Sequence, residues 1–320
     1  MIATALTEMF DLQHPVMLAP MGSIAGGRLA AAVSNAGGLG IVGGGYGDRA
    51  WLRAELSTVV KETKRPWGVG LITWSLDRTV LDMVLDYCPD AVMLSFGDPS
   101  PYQQAIKSAG CRLICQVQDV TEARAARAAG ADLIVAEGSE AGGHSGSRGT
   151  LPLVPAVVDA VDPVPVVAAG GIGDGRGLAA ALMLGAQGVL MGTRFYASRE
   201  ALGQDEAKRR IVAAAGSGTA RTRVFDIVRG YAWPARYPGR ALNNGFIERW
   251  HGREAELAAA QKEECGAYQA AAARGDFDTA AVWAGEVVDL IDGIEDAATI
   301  VARVSAEAEA RLRAAGGRLR

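Results

Sequence analysis

Cysteine and histidine are scarce in this chain of 320 residues, which has four of the first and three of the second. Only Cys111 and Cys115 stand close in sequence; Cys88 and Cys265 are isolated. The pair brackets an apolar run, and in a strand positions four apart lie roughly 13 Å from each other. A disulfide needs Cα atoms within about 7 Å, so none is expected there. No second Cys/His pair follows at ligand spacing, so no metal site is assigned. No apolar stretch approaches the roughly 20 residues that span a bilayer. A basic excess is also missing: 32 Lys and Arg face 36 Asp and Glu, a net charge of −4. That argues against a general nucleic-acid binder. The first eleven residues lack a basic stretch and contain Glu8 and Asp11, unlike a signal peptide. These absences lead us to expect a soluble, cytoplasmic protein with a small-molecule substrate and neither a nucleic-acid nor a membrane partner.

What is abundant is glycine, 41 of 320 residues, nearly twice the usual share of roughly 7%. No G-X-Y period accompanies it, so the excess points to tight turns and close backbone approaches. Eight short apolar runs recur: Val16–Ala19, Leu39–Val42, Gly68–Ile72, Ala91–Ser95, Arg112–Val117, Asp132–Ala136, Pro165–Ala169 and Gly188–Met191. Continuous runs of this kind suit parallel strands buried on both faces. Helical patterns lie between them. One starts at Asp119 or Thr121 as N-cap and stops at Gly130; another runs from Gly177 to Leu184 and stops at Gly185. In both, a strand follows the glycine, which is half of a repeating strand–helix unit.

Eight such units allow a closed barrel or a doubly wound sheet. Every candidate strand ends in a small, polar or Gly-rich segment, including Ala19-Pro20-Met21, Gly43-Gly44-Gly45, Gln116, Glu137-Gly138, Gly170-Gly171 and Gly192-Thr193. In a barrel all eight ends meet at one mouth, whereas a doubly wound sheet uses only those at its switch point. The expected fold is therefore an α/β chain forming a (β/α)8 TIM barrel over residues 1–204. Residues 205–285 are expected to form a helical insertion or lid, with helices at Ala207–Ala215 and Arg253–Ala273. Residues 286–320 are expected to pack back on the barrel through a helix at Ile294–Ala314.

The segment from Ala168 to Gly177 follows the seventh strand and opens a helix. Loops after strands seven and eight commonly make the phosphate site of a barrel. Glycines let backbone N–H groups approach phosphate oxygens, and a helix N-terminus favours the anion. Thr193 can add a hydroxyl donor. No Gly-Lys-Ser/Thr loop is present, no haem or iron–sulfur ligand set is present, and no strand ends in the Lys of a pyridoxal site. Flavin mononucleotide (FMN) fits best, with its ring against the Ala19-Pro20-Met21 turn.

The second motif, Glu137 to Gly146, follows strand six. His14 precedes the first strand and His251 stands among charged helix residues, so His144 alone sits at a strand end on the mouth side. Imidazole exchanges a proton near neutral pH and can serve as a general base.

These segments resemble the nitronate monooxygenase family. The matching stretches are Pro15 to Met21, Asn35 to Gly40, Glu140-Ala141-Gly142-Gly143-His144-Ser145-Gly146, and Ala169-Gly170-Gly171-Ile172 through Met191-Gly192-Thr193-Arg194-Phe195. A weaker match runs through Gly239 to Asn244 and Trp283-Ala284-Gly285. The resemblance implies a barrel holding FMN non-covalently through Ala19, Met21, Gln116, Glu137, Gly143, Gly170, Gly171, Gly192 and Thr193. It implies that His144 takes the α-proton of a nitroalkane or polarises a nitronate, and that O2 oxidises the nitronate to a carbonyl compound and nitrite. Two positions depart from the family. Many members carry Asn after strand three, where this chain reads Gly68 to Thr73, and some carry Lys in place of Gln116.

Similar barrels serve FMN-dependent enoyl-thioester reductases and NADH:quinone reductases, which are the alternative reading. A flavin-free phosphate-binding isomerase is the alternative of another class. Arg221, Arg223, Arg229, Arg236 and Arg240 fall in the lid, where a solvated basic face is expected ahead of a clamp on a substrate carboxylate. The oligomeric state is open, with a homodimer as the candidate.

Overall fold

Eight parallel strands wind into one barrel in the computed structural model, which describes residues 2–317. They are β1 (Val16–Leu18), β2 (Gly40–Gly43), β3 (Trp67–Ile72), β4 (Ala91–Ser95), β5 (Arg112–Val117), β6 (Leu133–Glu137), β8 (Val166–Ala169) and β9 (Val189–Met191). Each overlies its apolar run to within about two residues, the usual slack of element boundaries. β1 pairs with β9 along its length. The ring closes on the other side, where Leu18 N–H donates to the Leu39 carbonyl and Leu39 N–H to the Val16 carbonyl, both at 2.9 Å.

Side-chain alternation sorts each strand into an inner and an outer set. Met17, Ile41, Met93, Ile114, Leu133, Val135, Val167 and Leu190 form one buried cluster inside the barrel. Val16, Leu18, Val42, Val69, Val92, Leu113, Ile134 and Val166 belong to a second cluster under the surrounding helices. Leu6 and Phe10, from an N-terminal helix at Ala5–Phe10, join the inner cluster. The interior is thus filled with side chains, and chemistry is confined to the mouth. The same alternation that turns Ile114 and Val135 inward turns Gln116 and Glu137 inward two residues later, in the layer nearest the mouth.

The connecting helices follow their caps. Asp119 accepts from Glu122 N–H and starts the helix Val120–Ala128, so Asp119 rather than Thr121 is the N-cap. Asp174 caps Gly175–Met183, two residues ahead of the expected start. Gly130 and Gly185 follow these helices at φ 78° and 92°, a conformation that glycine adopts without strain. Cys111 and Cys115 are free thiols. No helix among the described residues is long and apolar enough to cross a membrane.

The segment expected to be a helical lid contains more than helices. β10 (Thr219–Thr222) and β11 (Gly239–Leu242) pair antiparallel, and β11 also pairs with β7 (Gly143–His144), which lies in the loop after β6. The expected helix at Arg253–Ala273 is two helices, Glu254–Ala259 and Gln261–Arg274, bent at Ala260 where ψ is 3°. The Ala-rich run has no breaker that announces this bend. The last helix spans Ala297–Gly316 and packs on Gly175–Met183. Residues 1 and 318–320, the ends of the first and third expected segments, lie outside the described residues.

Candidate active site

The inward, mouth-side layer carries a polar group that the barrel below lacks. Gln116 Nε2 donates to Glu137 Oε2 at 2.7 Å, and Gln118 Nε2 donates to the same oxygen at 3.1 Å. Glu137 is buried, and burial pushes its carboxyl up to about 8; the Gln118 bond and the nearby Arg221 charge oppose that rise. Two residues that the sequence could only name separately, Gln116 and Glu137, are therefore hydrogen-bonded partners. Gln118 was not anticipated, although it is the next inward residue after Gln116.

Across the mouth, Ala19, Met21 and Gly192 converge. A Cβ built on Gly192 would lie 3.5 Å from Ala19 Cβ and 3.6 Å from Met21 Sδ. Gly192 also caps the short helix Thr193–Tyr196 without a side-chain cap bond. Gly170 and Gly171 turn at φ 99° and 70°. A side chain at Gly170 would run into the Gly138 carbonyl at 2.8 Å and Thr150 Oγ1 at 2.9 Å. Thr193 Oγ1 accepts the Gly285 N–H at 3.0 Å, so the hydroxyl expected to serve a phosphate is tied to Gly285 through one lone pair and keeps its own proton. A cleft of about 420 Å³ opens on the outer side of the Gly170–Gly171 turn, lined by Glu140, Glu286 and Asp289 among others. Glu140 and Asp289 leave that cleft acidic, while Glu286 is paired with Arg240.

His144 lies above this layer, in β7. Its Nε2 is 3.0 Å and 2.9 Å from the two carboxylate oxygens of Asp226, in the helix Val224–Arg229. Asp226 Oδ1 also accepts from Arg229 at 3.1 Å. Burial lowers the His144 pKa; the hydrogen bond and charge of Asp226 raise it, and the Arg229 charge lowers it. Of the 6 Trp, 7 Tyr and 6 Phe in the chain, ten join into one network that includes this imidazole, with Phe225, Phe246 and Tyr268 joined through Trp283. Trp233, Phe96 and Trp283 touch it, and Tyr46, Trp74, Tyr231 and Tyr237 extend the wall.

Three of the five arginines turn inward against the expected solvated face, while Arg223 and Arg236 are exposed. Arg221 donates to the Ser145 and Gly146 carbonyls. Arg240 donates to the Ser139 carbonyl and to Thr219, and pairs with Glu286 at 2.8 Å. Arg229 is bound to Asp226, and Arg236 pairs with Glu122 at 3.2 Å. Arg223 makes no side-chain hydrogen bond or ion pair among the described residues. The loop that carries His144 leaves carbonyls unpaired in the barrel, and the guanidinium groups satisfy them.

The mouth fits a flavin. Thr73 Oγ1, Ser95 Oγ, Gln118 Oε1 and Ser145 Oγ are buried there and have no hydrogen-bond partner among the described residues. Thr73, Ser95 and Gln118 lie at or just beyond the ends of β3, β4 and β5, and Ser145 follows β7 in the loop after β6. Buried polar atoms are normally satisfied, and the donor and acceptor edge of a flavin ring matches such a set. The barrel and this mouth define an FMN-dependent oxidoreductase. The chain belongs to the nitronate monooxygenase family, whose model matches residues 3–79 and 72–307. It is similar to FabK from Thermotoga maritima, with TM-score 0.87, 32% identity and 99% of each chain covered. It is also similar to nitroalkane oxidase from Streptomyces ansochromogenes, with TM-score 0.82, 32% identity and coverage of 98% of this chain and 99% of that one. A relative in Mycobacterium tuberculosis, (3aS,4S,5R,7aS)-5-hydroxy-7a-methyl-1-oxo-octahydro-1H-indene-4-carboxyl-CoA dehydrogenase, is 38% identical over 78% of this chain and 68% of that protein.

Proposed function

We propose that this chain acts on the Cα–Cβ bond of an acyl thioester, reducing an enoyl thioester with a nicotinamide dinucleotide as electron source. The observation that carries this reading is the aromatic wall around His144. Aromatic faces are electron-rich and repel an anion, while they stack well on a flat conjugated group. An enoyl thioester is flat, conjugated and neutral at its reacting end; a nitronate is a small anion. The relative that acts on a carboxyl-CoA supports the same substrate class.

FMN, when bound, supplies the hydride chemistry. Gly170, Gly171, Gly192 and Thr193 would hold its phosphate, and Ala19, Met21, Gln116, Glu137 and Gly143 would border its ring. His144 handles the α-proton: it returns the proton to Cα in the reductive direction and takes it in the oxidative one. The aromatic wall excludes water from that exchange.

Oxidation of alkyl nitronates by O2 is the second reading. The family match and the similarity to a nitroalkane oxidase favour it, and it also needs a base at an acidic C–H. An anaerobic titration of the yellow holoprotein separates the two. NADH or NADPH should bleach the flavin and crotonyl-CoA should restore its colour. Bleaching by ethyl nitronate, with no response to either nicotinamide, would replace the thioester reading by the nitronate one.

A further inference from the structure

His144 has two ring nitrogens, and only one can face a substrate while the other is held. We infer that Asp226, carried by the lid helix Val224–Arg229, is the positioning residue that fixes the His144 tautomer and leaves Nδ1 as the working nitrogen. This rests on His144 being the proton-handling group. Both carboxylate oxygens of Asp226 lie within 3.0 Å of Nε2. A carboxylate only accepts, so Nε2 carries the hydrogen. Nδ1 makes no hydrogen bond among the described residues and keeps its lone pair.

Asp226 is itself held. It is almost fully buried, with 3% of its side chain exposed, and Arg229 donates to its Oδ1. The Arg229 guanidinium in turn lies over the rings of Tyr231 and Trp283, 4.8 Å and 5.3 Å from their centres. The backbone adds a second constraint, since Gly239 of β11 pairs with His144 in β7. Both restraints come from the lid segment, so the lid and not the barrel sets the orientation of the imidazole. The charged groups that face the ring are Asp226 and Arg229; the other elements packed on it present Phe96, Trp233 and Trp283, which do not titrate near neutral pH.

The chain has only three histidines, so nitrogen NMR of the 15N-histidine-labelled holoprotein resolves each imidazole. Above its titration, His144 of the unmodified protein should show a protonated Nε2 and an unprotonated Nδ1. Asp226→Asn removes the negative neighbour and should move the His144 titration to lower pH. Arg229→Gln removes the positive one and should move it to higher pH. In enoyl reduction the imidazolium gives the proton, so the alkaline limb of the kcat profile should follow each shift. In Asp226→Asn, kcat should fall by about 10²-fold, the cost of a misplaced reacting group, with KM little changed. A neutral imidazole that carries its hydrogen on Nδ1, or a His144 titration that neither substitution moves, would overturn the inference. Arg229→Gln keeps the test available where Asp226→Asn does not fold. The spectra report on Asp226 whatever the substrate is, so shifts in the expected directions with full turnover in His144→Asn would remove the catalytic reading and leave the positioning in place.

Discussion

Trp233 lies flat on His144: their ring centres are 3.5 Å apart and their planes differ by 3°. The indole is held by its Nε1–H, which donates to Tyr46 Oη at 2.8 Å, on the opposite side of the mouth. The loop between β10 and β11 thus roofs the imidazole through a single side chain.

Trp233→Ala removes that roof. The ring is buried, so stability should fall by about 3 kcal/mol, toward the lower end for aromatic truncation because a loop can close over the gap. His144 should react faster with diethyl pyrocarbonate, read as the modified peptide by mass spectrometry. Unchanged reactivity would mean that other rings shield the imidazole.

His144→Asn keeps a polar side chain of similar reach and removes the proton carrier. Turnover should drop by roughly 10²–10⁴, the usual share of a general acid or base. Bound FMN, read by absorbance, should stay stoichiometric because the proposed phosphate contacts lie after β8 and β9. Loss of flavin in this variant would make His144 a cofactor contact instead.

Glu137→Gln tests the buried carboxyl through pH. Burial raises its pKa from 4.5 to about 8. Between those values the folded chain holds a proton that the unfolded chain has released, so stability falls as pH rises through the window and levels off above about 8. The amide has no such proton. Urea unfolding of both proteins at several pH values should show the variant gaining on the unmodified chain as pH rises from about 5 to about 8. A constant difference across that range would place the ordinary carboxylate at Glu137.

Gly192→Asp probes the proposed phosphate position. Its Cβ meets only Ala19 and Met21, at ordinary contact distance, so the fold should tolerate the change. The added carboxylate would stand at the start of the helix Thr193–Tyr196 and repel a phosphate there. The purified variant should be colourless, with a melting curve close to that of the flavin-free unmodified protein. Retained FMN would move the phosphate elsewhere. Gly171→Asp is a poorer probe, because a Cβ there comes within 3.2 Å of Glu140 Cβ and disturbs the loop itself.

The barrel was legible in the sequence because its information is local. An apolar run such as Ala91–Ser95 is a buried strand wherever it falls, a cap such as Asp119 acts three residues away, and the glycine after each helix acts at once. Eight such units and their polar ends define the mouth, and His144 stands out as the one histidine there. The partners of His144 were not legible. Asp226 is 82 residues away, and nothing in Val224–Arg229 marks its carboxylate as different from any other between residues 205 and 285. β10 and β11 are four residues each, mix polar with apolar side chains, and show no period that separates them from loop. Their pairing with a two-residue strand in the loop after β6 exists only once the chain has closed. The sequence by itself determined the barrel, its filled interior and the candidate base. Only the tertiary structure decided which nitrogen of His144 is held, what covers it and that Gln116 and Gln118 share one carboxyl oxygen, because burial and long-range hydrogen bonds do not follow from any segment read alone.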